Sequence, residues 1–359
     1  MERLFEDKIL LALAWVNELA FKKKTSLLDA VEEPSKLIDK AAKPMIEKLI
    51  GEAACAEFLD NFARIDEIIA ELKANDVDYV TYLDDDYPEI LFETYDKPLV
   101  LFLKGDKSLL AKNTIAVVGT RKPTRYGMKI ADEFAREFAE AGLVVVSGFA
   151  RGIDATAHKA CVMNDKPTIA VFACGVDVCY PAEHKGLYDG ILAKGGLIVS
   201  EYPLGAKPLQ YHFPDRNRII SGLSKAVFLP EAAKNSGSLI TMRLAIEQGR
   251  EIFITPGNIF MEEAAGSNEL LKEMPHAMVF SPDDVLDALR INREVRTKEA
   301  VELDFAESQI VDALHDNELH FEELLEITGL DVSNLTNTLI NLELNGVIIQ
   351  TGGNYYTLA

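Results

Sequence analysis

Apolar residues recur in three different rhythms along this chain. Up to about residue 72 they follow helical spacing. Leu10, Leu11, Leu13, Ala14, Val16, Leu19 and Ala20 form one such set, with Trp15 among them. Ile46, Leu49 and Ile50, then Phe58, Phe62, Ile65, Ile68, Ile69 and Leu72 form others. From Val77 the period shortens. Val77–Leu83 alternates, Asp84-Asp85-Asp86 reads as a turn, and Leu99–Leu103 is a buried strand closed by Lys104-Gly105-Asp106. Continuous apolar runs then follow at Ile115–Val118, Leu143–Val146, Ile169–Phe172, Leu197–Val199, Ala226–Leu229 and Ile252–Ile254. Helical segments separate them: Met128–Ala141, Ala155–Met163, Glu183–Lys194, Arg216–Leu223 and Ser238–Gln248. Uninterrupted apolar strands alternating with helices predict an α/β fold, a parallel sheet covered on both faces. After Ser281-Pro282 the rhythm changes again. A charged helix and linker run to about Leu303. Three helices are expected at Ser308–Leu314, Phe321–Thr328 and Val332–Asn345. A hairpin of Val347–Gln350 and Tyr355–Leu358 turns through Thr351-Gly352-Gly353-Asn354.

That last layout, three helices and a hairpin, is a winged helix, a fold that often reads DNA through its third helix. The predicted organisation is an N-terminal helical domain (1–75), a sheet domain (76–285), a linker (286–304) and the winged helix (305–359).

In a parallel sheet the loops at the carboxyl ends of the strands gather where ligands bind. Here they carry unusual chemistry. Gly119-Thr120-Arg121-Lys122-Pro123-Thr124-Arg125-Tyr126-Gly127 follows one strand, and Ser147-Gly148-Phe149-Ala150-Arg151-Gly152-Ile153-Asp154 the next. Phe213-Pro214-Asp215-Arg216-Asn217-Arg218 and Asn235-Ser236-Gly237-Ser238-Leu239-Ile240-Thr241 complete the set. Glycine admits a phosphate to the backbone, helix N-termini offer free N–H groups, and arginine supplies charge. The expectation is a groove for a phosphate-bearing ligand.

Simpler readings stand beside each motif. The first loop has neither a Walker ending nor GxGxxG. The second, followed by His158, lacks the GxSxG of a hydrolase, and Asp154 reads as a helix N-cap. In the third, a base stacked on Phe213 with arginines on neighbouring phosphates suits single-strand binding. The alternative there is a helix start capped by Asp215, its arginines paired with acids such as Glu201. Ser238 reads alternatively as a plain N-cap, and Lys22-Lys23-Lys24 as a solvated helix end.

Charge first argues against a nucleic-acid partner, since the net value is −21. Its distribution changes that. Residues 1–110 hold 14 Lys and Arg against 24 Asp and Glu; residues 111–280 hold 19 against 18. Residues 281–359 hold 4 against 16, and Lys298 is the last base. A basic groove is compatible with the middle. The winged helix, with 12 acids and no Lys or Arg from 299 to 359, lacks the cations that phosphate requires, so a protein contact or dimer surface is expected there. Cys55, Cys161, Cys174 and Cys179 form no CxxC pair and read as buried thiols. No metal and no cofactor is expected. No apolar run is long enough to span a bilayer, and the charged start is wrong for a signal peptide, so a cytoplasmic location without membrane contact is expected.

The order of these motifs resembles the bacterial DprA/Smf family of DNA-processing proteins. The resemblance rests on Val118–Arg121, Ser147–Asp154 with Ala157-His158, Gly175-Val176-Asp177 with Tyr180-Pro181, and Ser200–Pro203 with Gly205. Phe213–Ile220, Ser236–Thr241, Gly249-Arg250 and Pro256-Gly257 complete it. It departs at Thr120, where the family often has Ser, and at Pro230. The resemblance implies an extended Rossmann-like doubly wound domain and an N-terminal domain of the SAM or helix-hairpin-helix kind. It also implies a non-enzymatic protein that binds single-stranded DNA without sequence preference. Such a protein forms a homodimer, protects incoming DNA in natural transformation, and loads a RecA-type recombinase. Carried onto this chain, Gly119, Thr120, Arg121 and the loop Ser147, Gly148, Phe149, Ala150, Arg151, Gly152 would contact phosphates. Phe213 would stack a base, and Arg216, Asn217, Arg218, Ser236, Gly237 and Ser238 would support the groove. Lys207 and Lys234 would add charge. Two alternatives use the same fold: a nucleotide sensor, or a phosphoribohydrolase-like enzyme, whose Pro-Gly-Gly-x-Gly-Thr cradle is replaced here by Pro230-Glu231-Ala232-Ala233.

Overall fold

The structure is a computed structural model of the chain. It describes residues 2–17, 19–31, 33–291, 303–314, 318–344, 347–351 and 353–358. The chain forms two compact units, Met1–Asn292 and Arg293–Ala359.

The first unit begins with helices α1 (Glu2–Ala14), α2 (Phe21–Asp29), α3 (Lys43–Ile50), α4 (Glu52–Ala63) and α5 (Ile65–Ala74). Strand β1 (Asp78–Thr81), the short helix α6 (Glu89–Phe92) and strand β2 (Val100–Gly105) follow. Then comes the predicted alternation: β3 (Thr114–Val117), α7 (Arg125–Glu140), β4 (Val144–Ser147), α8 (Ile153–Met163), β5 (Thr168–Val171) and α9 (Lys185–Ala193). It continues as β6 (Leu197–Ser200), α10 (His212–Gly222), β7 (Ala226–Leu229), α11 (Ser238–Glu247) and β8 (Glu251–Ile254). Helices α12 (Ala265–Glu273) and α13 (Pro282–Ala288) close the unit.

All eight strands join one sheet in the order β1-β2-β6-β5-β4-β3-β7-β8. The six from β3 to β8 pair in parallel, and β1 and β2 extend the edge antiparallel. This is the expected extended doubly wound fold. The central strands are buried throughout, and apolar except for Thr114, Ser147, Thr168 and Ser200 at their ends, because both faces are covered. Val144 and Val146 face α10 and α11, while Val145 faces α7 and α8. Helix α7 presents Ala131, Phe134, Ala135 and Phe138 at helical spacing. Phe134 stacks on Phe228 of β7 at 4.4 Å, and Phe138 meets the same ring edge-on at 5.7 Å. Each such ring removed from water contributes about 1.5–3 kcal/mol. Over the β5–β6–β2 half of that face the cover comes from α9 and the N-terminal helices. Leu10, Leu13 and Trp15 share one core with Phe102, Phe172 and Ile198.

The chain winds outward from β3 to β6 and then returns to lay β7 on the other side of β3. Consecutive loops therefore diverge between β3 and β7, and a crevice opens at the carboxyl ends of those two strands.

The second unit holds α14 (Phe305–Ala313), β9 (Leu319–His320), α15 (Phe321–Thr328), α16 (Val332–Leu344), β10 (Ile348–Thr351) and β11 (Tyr355–Leu358). The strands pair in the order β10-β11-β9, and Ile310, Leu324, Leu335, Leu339 and Ile348 make its core. Helix, helix, helix and hairpin form the predicted winged helix. Asn345 and Gly352, expected at its third helix end and its turn, lie outside the described residues.

Candidate nucleic-acid interface

The crevice between β3 and β7 is an open groove of about 840 Å³. Its lining brings together Gly119, Thr120, Arg121, Ala150, Phe213, Arg216, Asn217, Ser236, Gly237 and Ser238, all predicted from sequence. A small hollow continues from it beneath Gly148, Arg151, Tyr180 and Cys174, sharing Arg121, Phe213 and Arg216 with the groove.

The exposed chemistry sits on one wall. The guanidinium of Arg121 lies 5.5 Å from the centre of the Phe213 ring, and Tyr180 packs against the same ring at 5.7 Å. Arg121 and Lys122 are exposed, and Tyr180 is 44% exposed. A cation over an aromatic pair at the rim of a groove is a platform for a base with a phosphate beside it. The motif signal for Tyr180 was present in the sequence, but its place beside Phe213 was not. Glu262 and Glu263 line the groove as well, so its charge is one-sided.

Several predicted contacts are structural instead. Phe149 is 1% exposed, with φ at 59°, and packs on Phe172, His158 and His184. No face of its ring is open to a ligand. Ser147 is fully buried, its Oγ donating to the Val117 carbonyl at 2.6 Å. Arg218 turns away from the groove. It is buried, pairs with Glu201, lies near Asp96, and stands 4.0 Å over the ring of Phe21. The Glu201 pairing was the alternative reading, and for this arginine it is the one the structure adopts. Arg216 and Arg218 are two positions apart, about 200° around a helix, so the two cannot face the same way. Lys207 lines a different cavity, beside the N-terminal helices, and Lys234 pairs with Glu269 at 3.6 Å. Arg151, at the edge of the small hollow, pairs with Glu183 at 2.5 Å.

Glycines in the first two loops make room for protein rather than for phosphate. A Cβ on Gly148 would stand 2.7 Å from both the Arg216 guanidinium and the Asp154 carboxylate. Gly152, at φ 79°, would collide with the Thr120 carbonyl. The capping predictions shift too. Helix α8 is capped by Gly152, not Asp154; α11 by Gly237, not Ser238; and α10 starts at His212 with Tyr211 as its cap, not Asp215. Pro214 in the first turn suits that earlier start, because a proline there forfeits no helical hydrogen bond.

Arg216 forms the groove floor and is 3% exposed. It donates to the Gly148 carbonyl at 2.6 Å and to the Val171 carbonyl, with Asp154 as its counter-charge. Burial draws its pKa down to about 10, so it remains cationic at neutral pH. Burial raises Asp154, and Arg216 opposes that shift. His158 lies deeper, its Nδ1 2.9 Å from Thr168 Oγ1; burial lowers its pKa to about 3, so it is neutral.

The two helix N-termini at the crevice differ. At α7 the buried carboxylate of Glu231 accepts from Thr124 N and Thr124 Oγ1, both at 2.7 Å. A carboxylate of the chain itself thus sits at the α7 N-terminus, the kind of place that otherwise attracts an anion. At α11, Gly237 has nothing within 4 Å of where a Cβ would stand, and Ser236 Oγ and Ser238 Oγ pair at 2.8 Å beside the groove.

A family model for DNA recombination-mediator protein A matches residues 78–290. The chain belongs to that family. A model of the DprA winged helix domain matches residues 295–354. Among relatives in the family, protein Smf of Escherichia coli is 38% identical over 286 residues, 76% of this chain and 75% of its own length. DNA processing protein DprA of Bacillus subtilis is 39% identical over 229 residues, 64% of this chain and 76% of its own. The solved structure of DprA from Streptococcus pneumoniae superposes with a TM-score of 0.66 at 36% identity, covering 78% of this chain and 97% of that one. DNA processing protein A from Helicobacter pylori, solved to describe its single-stranded DNA binding mode, gives 0.53 at 33% identity, covering 59% and 95%. Membership thus agrees with the resemblance read from the motifs. Among the described residues no helix is long and apolar enough to cross a membrane, and no cluster of ligating side chains fits a metal.

Proposed function

We propose that this chain binds single-stranded DNA without sequence preference in the β3–β7 groove, and that it acts there as a recombination mediator. The observation that carries the reading is the platform at the rim of the open groove, where exposed Arg121 and Tyr180 flank the half-buried ring of Phe213. Stacking tolerates any base, and one cationic wall follows a backbone, so recognition of this kind is blind to sequence. The Helicobacter pylori relative, described for its binding of single-stranded DNA, supports the same use of the fold. Phosphates contact Arg121, Lys122 and the exposed loop Asn235–Gly237. Arg216 holds the floor and lends charge from below.

In this reading the bound strand is protected and passed to a RecA-type recombinase in the cytoplasm, and the working form is a homodimer. No reaction is catalysed. The winged helix meets a protein: its described surface leaves Phe305 and Val332 exposed among acids and offers no Lys or Arg. Against the nucleotide-sensing and phosphoribohydrolase alternatives stands Glu231, whose carboxylate sits at the α7 N-terminus.

Fluorescence anisotropy tests the reading. Labelled dT35, a matched duplex and labelled ATP are titrated at two salt concentrations. Salt-sensitive preference for the single strand is expected. Arg121→Ala should weaken binding about tenfold and reduce the salt slope by about 0.7. ATP binding without oligonucleotide binding overturns it.

A further inference from the structure

The carboxyl edge of the sheet holds a second cavity, of about 210 Å³, beyond the groove. It opens after β6, between the segment 203–212 and the N-terminal residues 16–17 and 19–24. Residues 207–211 form the ridge between the two spaces: Pro208 and Gln210 line the groove, and Lys207, Leu209 and Tyr211 line the cavity.

The lining is aromatic and polar rather than cationic. Tyr202 stacks on His212 at 3.8 Å, and Tyr211 meets His212 edge-on at 4.7 Å. His212 Nδ1 donates to the Ala173 carbonyl at 3.1 Å, which fixes the ring, and burial holds its pKa below the usual range. Two lysines line the space, and acids oppose the charge of one of them. Lys24, read from sequence as part of a solvated run, instead turns inward and donates to the Ala14 carbonyl at 2.9 Å, with Glu201 and Glu57 near it. Asp215 lines the same wall. Only Lys207, at the rim, is an exposed cation. A space of this kind is a poor trap for phosphate. It suits a flat heteroaromatic group that stacks and exchanges hydrogen bonds with Asn17, Tyr202 and Asp215. A nucleobase occupies about half to two-thirds of such a volume once packed at protein density.

We infer that this cavity is a second base-binding subsite, which receives a nucleobase of the same strand after it crosses the 207–211 ridge, with Lys207 on the crossing phosphate. The inference rests on the groove being the primary site. It gives the N-terminal helices a part in binding, through Asn17, Phe21 and Lys24.

The test is a length series in the full chain. Tyr211 is 49% exposed and Lys207 exposed, so Tyr211→Ala, Lys207→Ala and the double variant should fold. Anisotropy is read with dT6, about the short end of single-strand site sizes, and with dT20. The double variant should bind dT6 within twofold of wild type and dT20 about tenfold more weakly. Wild-type binding of dT20 by the double variant overturns the subsite. Equal weakening at both lengths also overturns it, since the cavity would then be the primary site. Arg121→Ala separates the two readings. It should weaken both lengths, and no effect at either length removes the groove, and this inference with it. A further arm titrates labelled AMP. Saturable binding that Tyr211→Ala abolishes would make the cavity a site for free nucleotide, and would also overturn the inference.

Discussion

The two sides of the crevice began as equals in sequence and end as opposites. After β3 and β4 the glycines and helix ends are sealed by the protein, although Arg121 and Lys122 stay exposed: Glu231 sits on the α7 N-terminus, Arg216 and Asp154 under Gly148, and Phe149 and His158 beneath. After β7 the loop stays open, with Gly237 facing free space and Ser236 beside the groove. Both sides show glycine, hydroxyl and a helix N-terminus. What distinguishes them is whether another part of the chain reaches in first. A glycine-rich loop is therefore a necessary but insufficient sign of a ligand site, because the same features suit a close approach of protein to protein.

The contrast is breakable at its strongest point. Arg216→Ala leaves Asp154 buried without its counter-charge and two carbonyls without a donor. Stability should fall by about 3–5 kcal/mol in a urea titration, far more than the exposed Arg121→Ala, which should stay within about 0.5 kcal/mol. Comparable stability losses in the two variants would end the distinction between floor and rim.

Glu231→Ala should cost about 1.5–3 kcal/mol, since hydrogen bonds to a charged acceptor are lost. It should also free the α7 N-terminus. Phosphate at matched ionic strength should then raise the variant's melting temperature more than the wild type's. An identical response in both would mean that Glu231 does not hold that place.

The sealed side also predicts an acid sensitivity. His158 has a folded pKa of about 3, below the ordinary 6.5, because burial disfavours its charge. The unfolded chain takes up a proton below about pH 6.5 that the native state refuses. Stability from this group is therefore complete above pH 6.5 and is lost progressively toward pH 3. His184 and His212 are lowered by burial and act in the same sense. Asp154, raised by burial, acts in the opposite sense at lower pH. Thermal unfolding of His158→Gln should show a flatter slope than wild type between pH 6.5 and 4.5; an unchanged slope removes His158 as a source.

The smallest effect belongs to the open side. Ser236→Ala should change stability by less than about 0.5 kcal/mol. It should weaken single-strand binding by no more than about threefold, measured by anisotropy. A tenfold loss would make that loop, and not the Arg121 platform, the main phosphate contact.

Much of the architecture was readable because its signals are local. Val144-Val145-Val146 is apolar in every position since both faces of its strand are covered. The winged helix was readable from period and turn residues alone. Arg121, Phe213, Asn217 and Ser236, expected from the loop motifs, come together in the lining of one groove. Phe149, Ser147 and Arg218 were misplaced for one reason: sequence gives the residue type but not the side of the loop it faces. Tyr180 was missed as a contact because it meets Phe213 only after β5 and β6 are laid side by side.

The sequence by itself determined the alternation of strand and helix, the strand ends that carry chemistry, and the family. The first two follow from composition and period over a few residues, and the family from the order of its motifs along the chain. Tertiary structure alone decided which groups stay available. Glu231 reaches Thr124 across 107 positions, Arg216 reaches Gly148 across 68, and Trp15 packs against Phe102 to fix the N-terminal helices on the sheet. Whether a cation, a helix end or a glycine is free for a ligand depends on what the folded chain brings within about 3 Å of it, and no local pattern encodes that distance.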